Sequence, residues 1–254
     1  MSASGDLTVV IQAGGESRRM GRSKATVPFL GEPLLMRGVR RLLPIADELV
    51  VTTNEPDALG FLDDFIDRGS VHLATDVCDE RGALRGILTA LSAATLPYVS
   101  LVACDMLFPS TALIEEELAA LEDSAYEDSA YEDSAYEDSA YEDSAYDTSA
   151  YVRPAPSAAS ASDPAPVLSA AADIAVPCTE HGYEPFHAVY RRDTCLPVVE
   201  RAVARGEVKA GSFFDEMRLI TFDTARVADI DPSGRTFVNV NTPDELAAWE
   251  HELS

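Results

Sequence analysis

Two adjacent glycines and a run of cations stand directly behind an apolar strand. Gly14 and Gly15 open GGESRRMGRSK, which follows LTVVI (residues 7–11), Gln12 and Ala13. Adjacent glycines let backbone N–H groups approach an anion with no Cβ in the way. Arg19 and Lys24 can neutralise a polyphosphate, whereas Arg18 and Arg22 read as solvated surface charge. The loop fits neither familiar phosphate template. The fingerprint G-x-G-x-x-G fails because Gly14 and Gly15 are neighbours, and the Walker pattern fails because Gly21 is followed by Arg22. A carboxylate, Asp105 in ACDM, comes straight after the apolar run VSLVA. Such a group at a buried strand end is costly unless it is paired or binds a metal. Hard oxygen ligands beside phosphates suit Mg²⁺. RGALRG (residues 81–86) is a second glycine turn, either a place for a ring or phosphate to approach closely or simple helix punctuation.

These residues need elements to position them. Strand-like runs occur at LTVVI, ELVVTTN, VHLATD, YVSLVACD, ADIAVPC, FHAVY, LITFD and FVNVN. Helical patterns lie between them, at residues 33–43, around 58–66, at 83–94, from a Ser110 cap through Leu121, and at 193–204. Thr242-Pro243-Asp244-Glu245 supplies a cap, a proline at the first helical position and a glutamate three after the cap. The alternation predicts an α/β domain with a mostly parallel sheet, and ligands of such sheets bind beyond the carboxyl ends of the strands. Polar residues stand there: Thr52-Thr53-Asn54, Asp76, Asp105, Asn239 and Asn241. Any one of them is ordinary capping chemistry; together along one edge they point to a polar ligand. No serine has a paired histidine in a recognisable nucleophile setting, so acyl-transfer triads are not indicated.

Composition narrows the partners. The net charge is −25, and residues 122–147 hold eleven carboxylates and no base. The remainder still carries 33 acids against 19 bases, a net −14. That field repels nucleic acid and anionic membranes. It serves solubility at the least, and it suits a salt-rich cytoplasm, where self-repulsion is screened. No apolar run approaches the roughly 20 residues of a membrane span, and MSASGDLTVV lacks a secretory signal pattern, so a cytoplasmic location is expected. The four cysteines form no C-x-x-C pair, and the four histidines show no metal-ligand spacing with them. EDSAY repeats five times from Glu122 to Tyr146, followed by DTSAY and a Pro-Ala-Ser-rich stretch. A five-residue period builds no continuous apolar face, so residues 122–171 are expected to be a disordered insertion within one domain.

The order AGGESRRMGRSK, GALRG, ACDM, EPFHAVY and NVNTPDEL resembles the MobA-like nucleotidyltransferases, over nearly the whole chain except residues 122–171. The resemblance is strongest to the branch that makes the guanine dinucleotide form of the molybdenum cofactor. It implies a Rossmann-like three-layer α/β/α fold, Mg²⁺, and transfer of GMP from GTP to the phosphate of molybdenum-carrying molybdopterin, with release of pyrophosphate. It also implies transient contact with proteins that deliver and receive that cofactor. By the same resemblance, Gln12, Ala13, Gly14 and Gly15 form the nucleotide-binding turn, and Lys24 and Arg19 contact the phosphates. Asn54 and Asp76 fall where the nucleotide is held, Asp105 matches the metal-binding aspartate, and Asn239 and Asn241 match an N-x-N segment on the acceptor side. Three positions depart from the family pattern: Gln12 stands for the usual leucine, Ser23-Lys24 for Asp-Lys, and Ala83 for a proline. Sibling specificities, CTP with a pterin acceptor or GTP with phospholactate, fit the same motifs, and a non-catalytic nucleotide-binding adaptor is the alternative of another class.

Overall fold

The computed structural model describes residues 5–13, 23–78, 82–134 and 171–254. Its strands are β1 (Leu7–Gln12), β2 (Pro28–Phe29), β3 (Glu32–Pro33), β4 (Glu48–Thr52), β5 (His72–Ala74), β6 (Tyr98–Ala103), β7 (Ile174–Thr179), β8 (Gly182–Tyr183), β9 (His187–Arg191) and β10 (Leu219–Phe222). Its α-helices are α1 (Leu34–Leu42), α2 (Asp63–Asp67), α3 (Ala83–Ala93), α4 (Thr111–Ser134), α5 (Arg192–Ala204), α6 (Thr224–Ile230) and α7 (Pro243–Leu253). The central sheet runs β10-β7-β9-β6-β1-β4-β5, with β8 added beside β7. β5, β4, β1 and β6 are parallel to one another, β9 is antiparallel between β6 and β7, and β10 is parallel to β7. The carboxyl ends of β1, β4, β5, β6 and β7 therefore share one edge.

Alternation along β1 shows how the layers form. Leu7, Val9 and Ile11 face a core with Leu35 and Val39 of α1 and Ile114 and Leu118 of α4. Val10 faces the opposite core, with Ile87 and Leu91 of α3 and Val199 of α5. Side chains that alternate at a period of two in a strand and recur at three to four in a helix give three layers, α/β/α. A third apolar cluster fastens α7 to the front of the molecule: Val27, Phe29 and Leu34 pack with Leu107, Val240 and Leu246. The β2–β3 hairpin turns on Leu30 and Gly31, both at positive φ, which glycine adopts readily.

Two expectations need correction. FVNVN does not join the sheet. Leu107 N–H donates to the Val238 carbonyl (3.1 Å), Val240 N–H donates to the Asp105 carbonyl (3.0 Å), and Asn239 makes an isolated antiparallel bridge to Met106. Its alternating pattern reflects extended chain paired to a loop rather than to a strand. The disorder expected from Glu122 onward does not hold for residues 122–134, because α4 runs through the first two EDSAY copies to Ser134. A repeat without glycine or proline prolongs a helix that already exists at no nucleation cost. The missing apolar face bears on packing, not on local conformation. Ser124 Oγ donates to the Leu121 carbonyl (2.7 Å) and accepts the Ala172 N–H (3.1 Å), so the chain leaving the core and the chain re-entering it meet there. The rest of the insertion expected at 122–171 lies outside the described residues, apart from the buried Ala171.

Candidate active site

At the carboxyl edge, three residues far apart in sequence converge. Lys24 Nζ donates to Asp105 Oδ2 (2.6 Å) and to Asn241 Oδ1 (2.8 Å). Lys24 opens the short 3₁₀ turn Lys24–Thr26, which is pinned by the buried Ala25. Asp105 follows β6, and its carbonyl accepts the Val240 N–H, so this carboxylate and the asparagine segment are tied through the backbone. Asn241 precedes α7, whose capping box sets its direction. Thr242 Oγ1 accepts the Glu245 N–H (3.2 Å), while Glu245 Oε2 accepts from the N–H groups of Asn241 (2.6 Å) and Thr242 (3.1 Å). The Asn241 amide, foremost, holds the Glu245 carboxyl below its ordinary value. Trp249 of α7 packs edge-on against Phe108 (5.1 Å), clamping the helix to the loop that carries Asp105.

The residues expected on the nucleotide side fall into two groups. The Gln12 carbonyl accepts the Cys104 N–H (3.1 Å) and Ala13 N–H donates to the Thr52 carbonyl (2.9 Å), so the sheet is still paired where the turn begins. The Gln12 side chain lies on the α3 face, across Gly86. A Cβ on that glycine would stand 1.8 Å from Gln12 Nε2. The close approach for which GALRG left two readings is thus made by a side chain of the same protein. Asn54 and Asp76 join the ends of β4 and β5: Asn54 Nδ2 donates to Asp76 Oδ2 (2.6 Å) and Asp76 N–H to Asn54 Oδ1 (3.2 Å). They form a pair of their own, apart from the lysine network. Asn239 stays outside that network too, its amide turned to the Phe237 carbonyl (3.4 Å). Gly14, Gly15 and Arg19 lie outside the described residues.

The donor set suits a hard cation held chiefly by a substrate. Asp105 and Asn241 offer oxygens, and among the described residues no group of three His, Cys, Asp or Glu side chains could enclose a metal alone. One carboxylate completed by phosphate oxygens is the pattern of a Mg²⁺–nucleotide site. Burial and then the charge of Asp105 push the thiol of the neighbouring Cys104 up to about 12, which disfavours its thiolate.

Sequence reasoning missed a buried pair behind this site. Glu117 and His187 are both fully buried, with His187 Nδ1 3.5 Å from Glu117 Oε1. Burial outweighs the histidine's pull and raises the Glu117 carboxyl to about 7. Spacing holds the signal. Leu113, Ile114, Leu118 and Leu121 are the buried stripe of α4, and Glu117 falls on that stripe, unlike Glu115 and Glu116.

A family model described as the MobA-like NTP transferase domain matches residues 9–221. The chain is 28% identical over 246 residues to the molybdenum cofactor guanylyltransferase of Desulfosudis oleivorans, covering 96% of this chain and 94% of that protein. It is also 28% identical over 251 residues to the probable molybdenum cofactor guanylyltransferase of Natronomonas pharaonis, covering 98% and 100%. Among solved structures, molybdopterin-guanine dinucleotide biosynthesis protein A of Archaeoglobus fulgidus shares the fold, with a TM-score of 0.64 over 97% of this chain and 98% of that one, at 19% identity. With the lysine–aspartate–asparagine network at the edge where such sheets hold their ligands, these matches make the chain a nucleotidyltransferase that belongs to the MobA-like NTP transferase family.

Proposed function

We propose that this protein transfers GMP from GTP to the phosphate of molybdenum-carrying molybdopterin, giving the guanine dinucleotide form of the cofactor and pyrophosphate. The observation that carries the reading is the convergence of Lys24, Asp105 and Asn241 at the carboxyl edge, in a chain whose near-full-length relatives bear guanylyltransferase names. The acceptor phosphate is already ionised at neutral pH and attacks the α-phosphorus in line, so no side-chain base is needed. That agrees with the absence, among the described residues, of a histidine bonded to Lys24 or Asp105. Lys24, held by two partners before substrate arrives, offers a pre-oriented cation to the triphosphate, and orientation set in advance lowers the barrier. Arg19 and the backbone N–H groups of Gly14 and Gly15 would hold the departing pyrophosphate. Mg²⁺, when bound, supplies charge neutralisation at the phosphates, and Asp105, with the amide oxygen of Asn241 nearby, presents the oxygens that suit it. Gln12, Ala13, Asn54 and Asp76 line the nucleotide side, and Asn239 and Asn241 the acceptor side. The cofactor passes between this enzyme and the proteins that deliver and receive it by transient contacts in the cytoplasm.

Asp105→Ala tests the assignment. Mg²⁺-dependent transfer should fall at least about a hundredfold while circular dichroism and thermal midpoint stay near those of the parent protein. Unchanged turnover in the folded variant would remove Asp105 from the metal role.

A further inference from the structure

His187 touches both chain segments that carry the site. It opens β9, opposite Val102 of β6, with its side chain on the α4 side of the sheet. Its Nε2 accepts the Ser110 N–H (3.3 Å). Ser110 is the cap of α4, its Oγ accepting the Leu113 N–H (3.3 Å), so its own N–H falls outside the helical bonding pattern. Ser110 closes the six-residue stretch that begins at Asp105. The His187 ring also meets Phe237 edge to face, with centroids 5.6 Å apart and planes at 81°. Phe237 opens the extended segment that ends at Asn241 and zips onto residues 105–107. An accepting Nε2 is unprotonated, which leaves the ring's proton on Nδ1, facing Glu117. Neither Glu117 oxygen has another hydrogen-bond partner among the described residues, so Glu117 is placed to attract that proton.

We propose that His187 is a positioning residue for the Lys24–Asp105–Asn241 network, acting through the Ser110 N–H and the Phe237 ring, with Glu117 fixing its tautomer. The inference rests on the reading that this network carries the nucleotidyl transfer. Asp105 and Asn241 share no element, and their distance from Lys24 depends on two irregular segments. One buried imidazole that touches both holds them in register, as supporting residues behind a reacting group do.

The test uses two isosteres in the full chain. Glutamine places an acceptor near the position of Nε2, whereas asparagine keeps a donor near Nδ1 and loses the Ser110 bond. Hydrogen exchange is followed in segments 104–110 and 236–241, and Mn²⁺ binding to the protein–GTP complex is followed by electron paramagnetic resonance. His187→Asn should speed exchange in those segments and weaken Mn²⁺ binding, each by about tenfold, the size expected for one buried hydrogen bond. Metal-free GTP binding should stay unchanged, and His187→Gln should stay near the parent in every readout. Equal behaviour of the two variants, or faster exchange spread evenly over the sheet, overturns the proposal. Should His187→Asn not fold, the long-range ¹H–¹⁵N spectrum of the parent protein decides. A neutral ring protonated on Nδ1 supports the proposal, and a proton on Nε2 contradicts it. None of these readouts needs turnover, so a chain that transfers nothing would sink the proposed function and leave this test standing.

Discussion

Replacing Glu117 by glutamine should stabilise the protein, and by more in mild alkali than in mild acid. The Glu117 side chain is wholly buried; among the described residues neither oxygen is hydrogen-bonded, and the neighbouring cationic-type group is His187, 3.5 Å away. Burial lifts its carboxyl from 4.5 to about 7 against the weaker opposing pull of His187. The folded state therefore binds the proton more tightly than the unfolded state does. The resulting stability is fully present below the unfolded value, and it is lost as pH rises through the folded one. The gap between 4.5 and about 7 corresponds to about 3 kcal/mol. Glutamine keeps an oxygen for Nδ1–H and never ionises, so the variant does not suffer that loss. Urea unfolding of both proteins at matched salt, from about pH 4.5 to about pH 8, compares the buried pair with and without an ionisable group at position 117. The variant's advantage should grow by about 3 kcal/mol across that range, with equal slopes in denaturant. A flat difference, or a parent protein that gains on the variant as pH rises, would mean that Glu117 is ionised and paired, and the argument from burial would fail.

The remaining predictions concern the site and the insertion. Gly86→Ala sets a methyl group 1.8 Å from the present position of Gln12 Nε2 and forces that flexible side chain aside. Nucleotide affinity should drop about tenfold with little change in stability, and the effect should shrink in a Gln12→Ala background, as coupled neighbours require. If Gly86→Ala is equally harmful in both backgrounds, the contact with Gln12 is not the cause. Deleting residues 126–170 behind a short linker should leave fold and turnover largely intact, since Ser124 and Ala172 already meet. Loss of turnover in a folded deletion would instead make the repeat part of the working enzyme.

The parallel sheet, and the placing of Lys24, Asp105 and Asn241 at its carboxyl edge, are legible because each depends on local sequence. An apolar run ending in a polar residue marks a strand end, and the capping box of α7 is written in four consecutive residues. Distance along the chain hid the rest. Nothing in Ser23-Lys24 announces a bond to Asn241, 217 positions away. The N-x-N spacing treats Asn239 and Asn241 alike, yet only Asn241 joins Lys24, because the segment is pinned to a loop and does not follow a regular strand. His187 was hidden for a different reason. A lone histidine in a short apolar strand looks like ordinary packing, and its partner Glu117 sits in a run of three glutamates that reads as solvated charge. Only the helical position of Glu117, on the stripe with Leu113, Ile114, Leu118 and Leu121, tells it from its neighbours. In the opposite direction, the period of EDSAY argues only against a buried face, and α4 continues through it.

The central claim is the transfer itself. Its most direct measurement is pyrophosphate release by the full chain with Mg²⁺ and molybdenum-carrying molybdopterin, with GTP and CTP supplied in parallel. Pyrophosphate should be released from GTP, dependent on the pterin acceptor, with formation of the guanine dinucleotide and little release from CTP. Preference for CTP, or no release from either nucleotide by a folded protein that binds Mg²⁺, would contradict it.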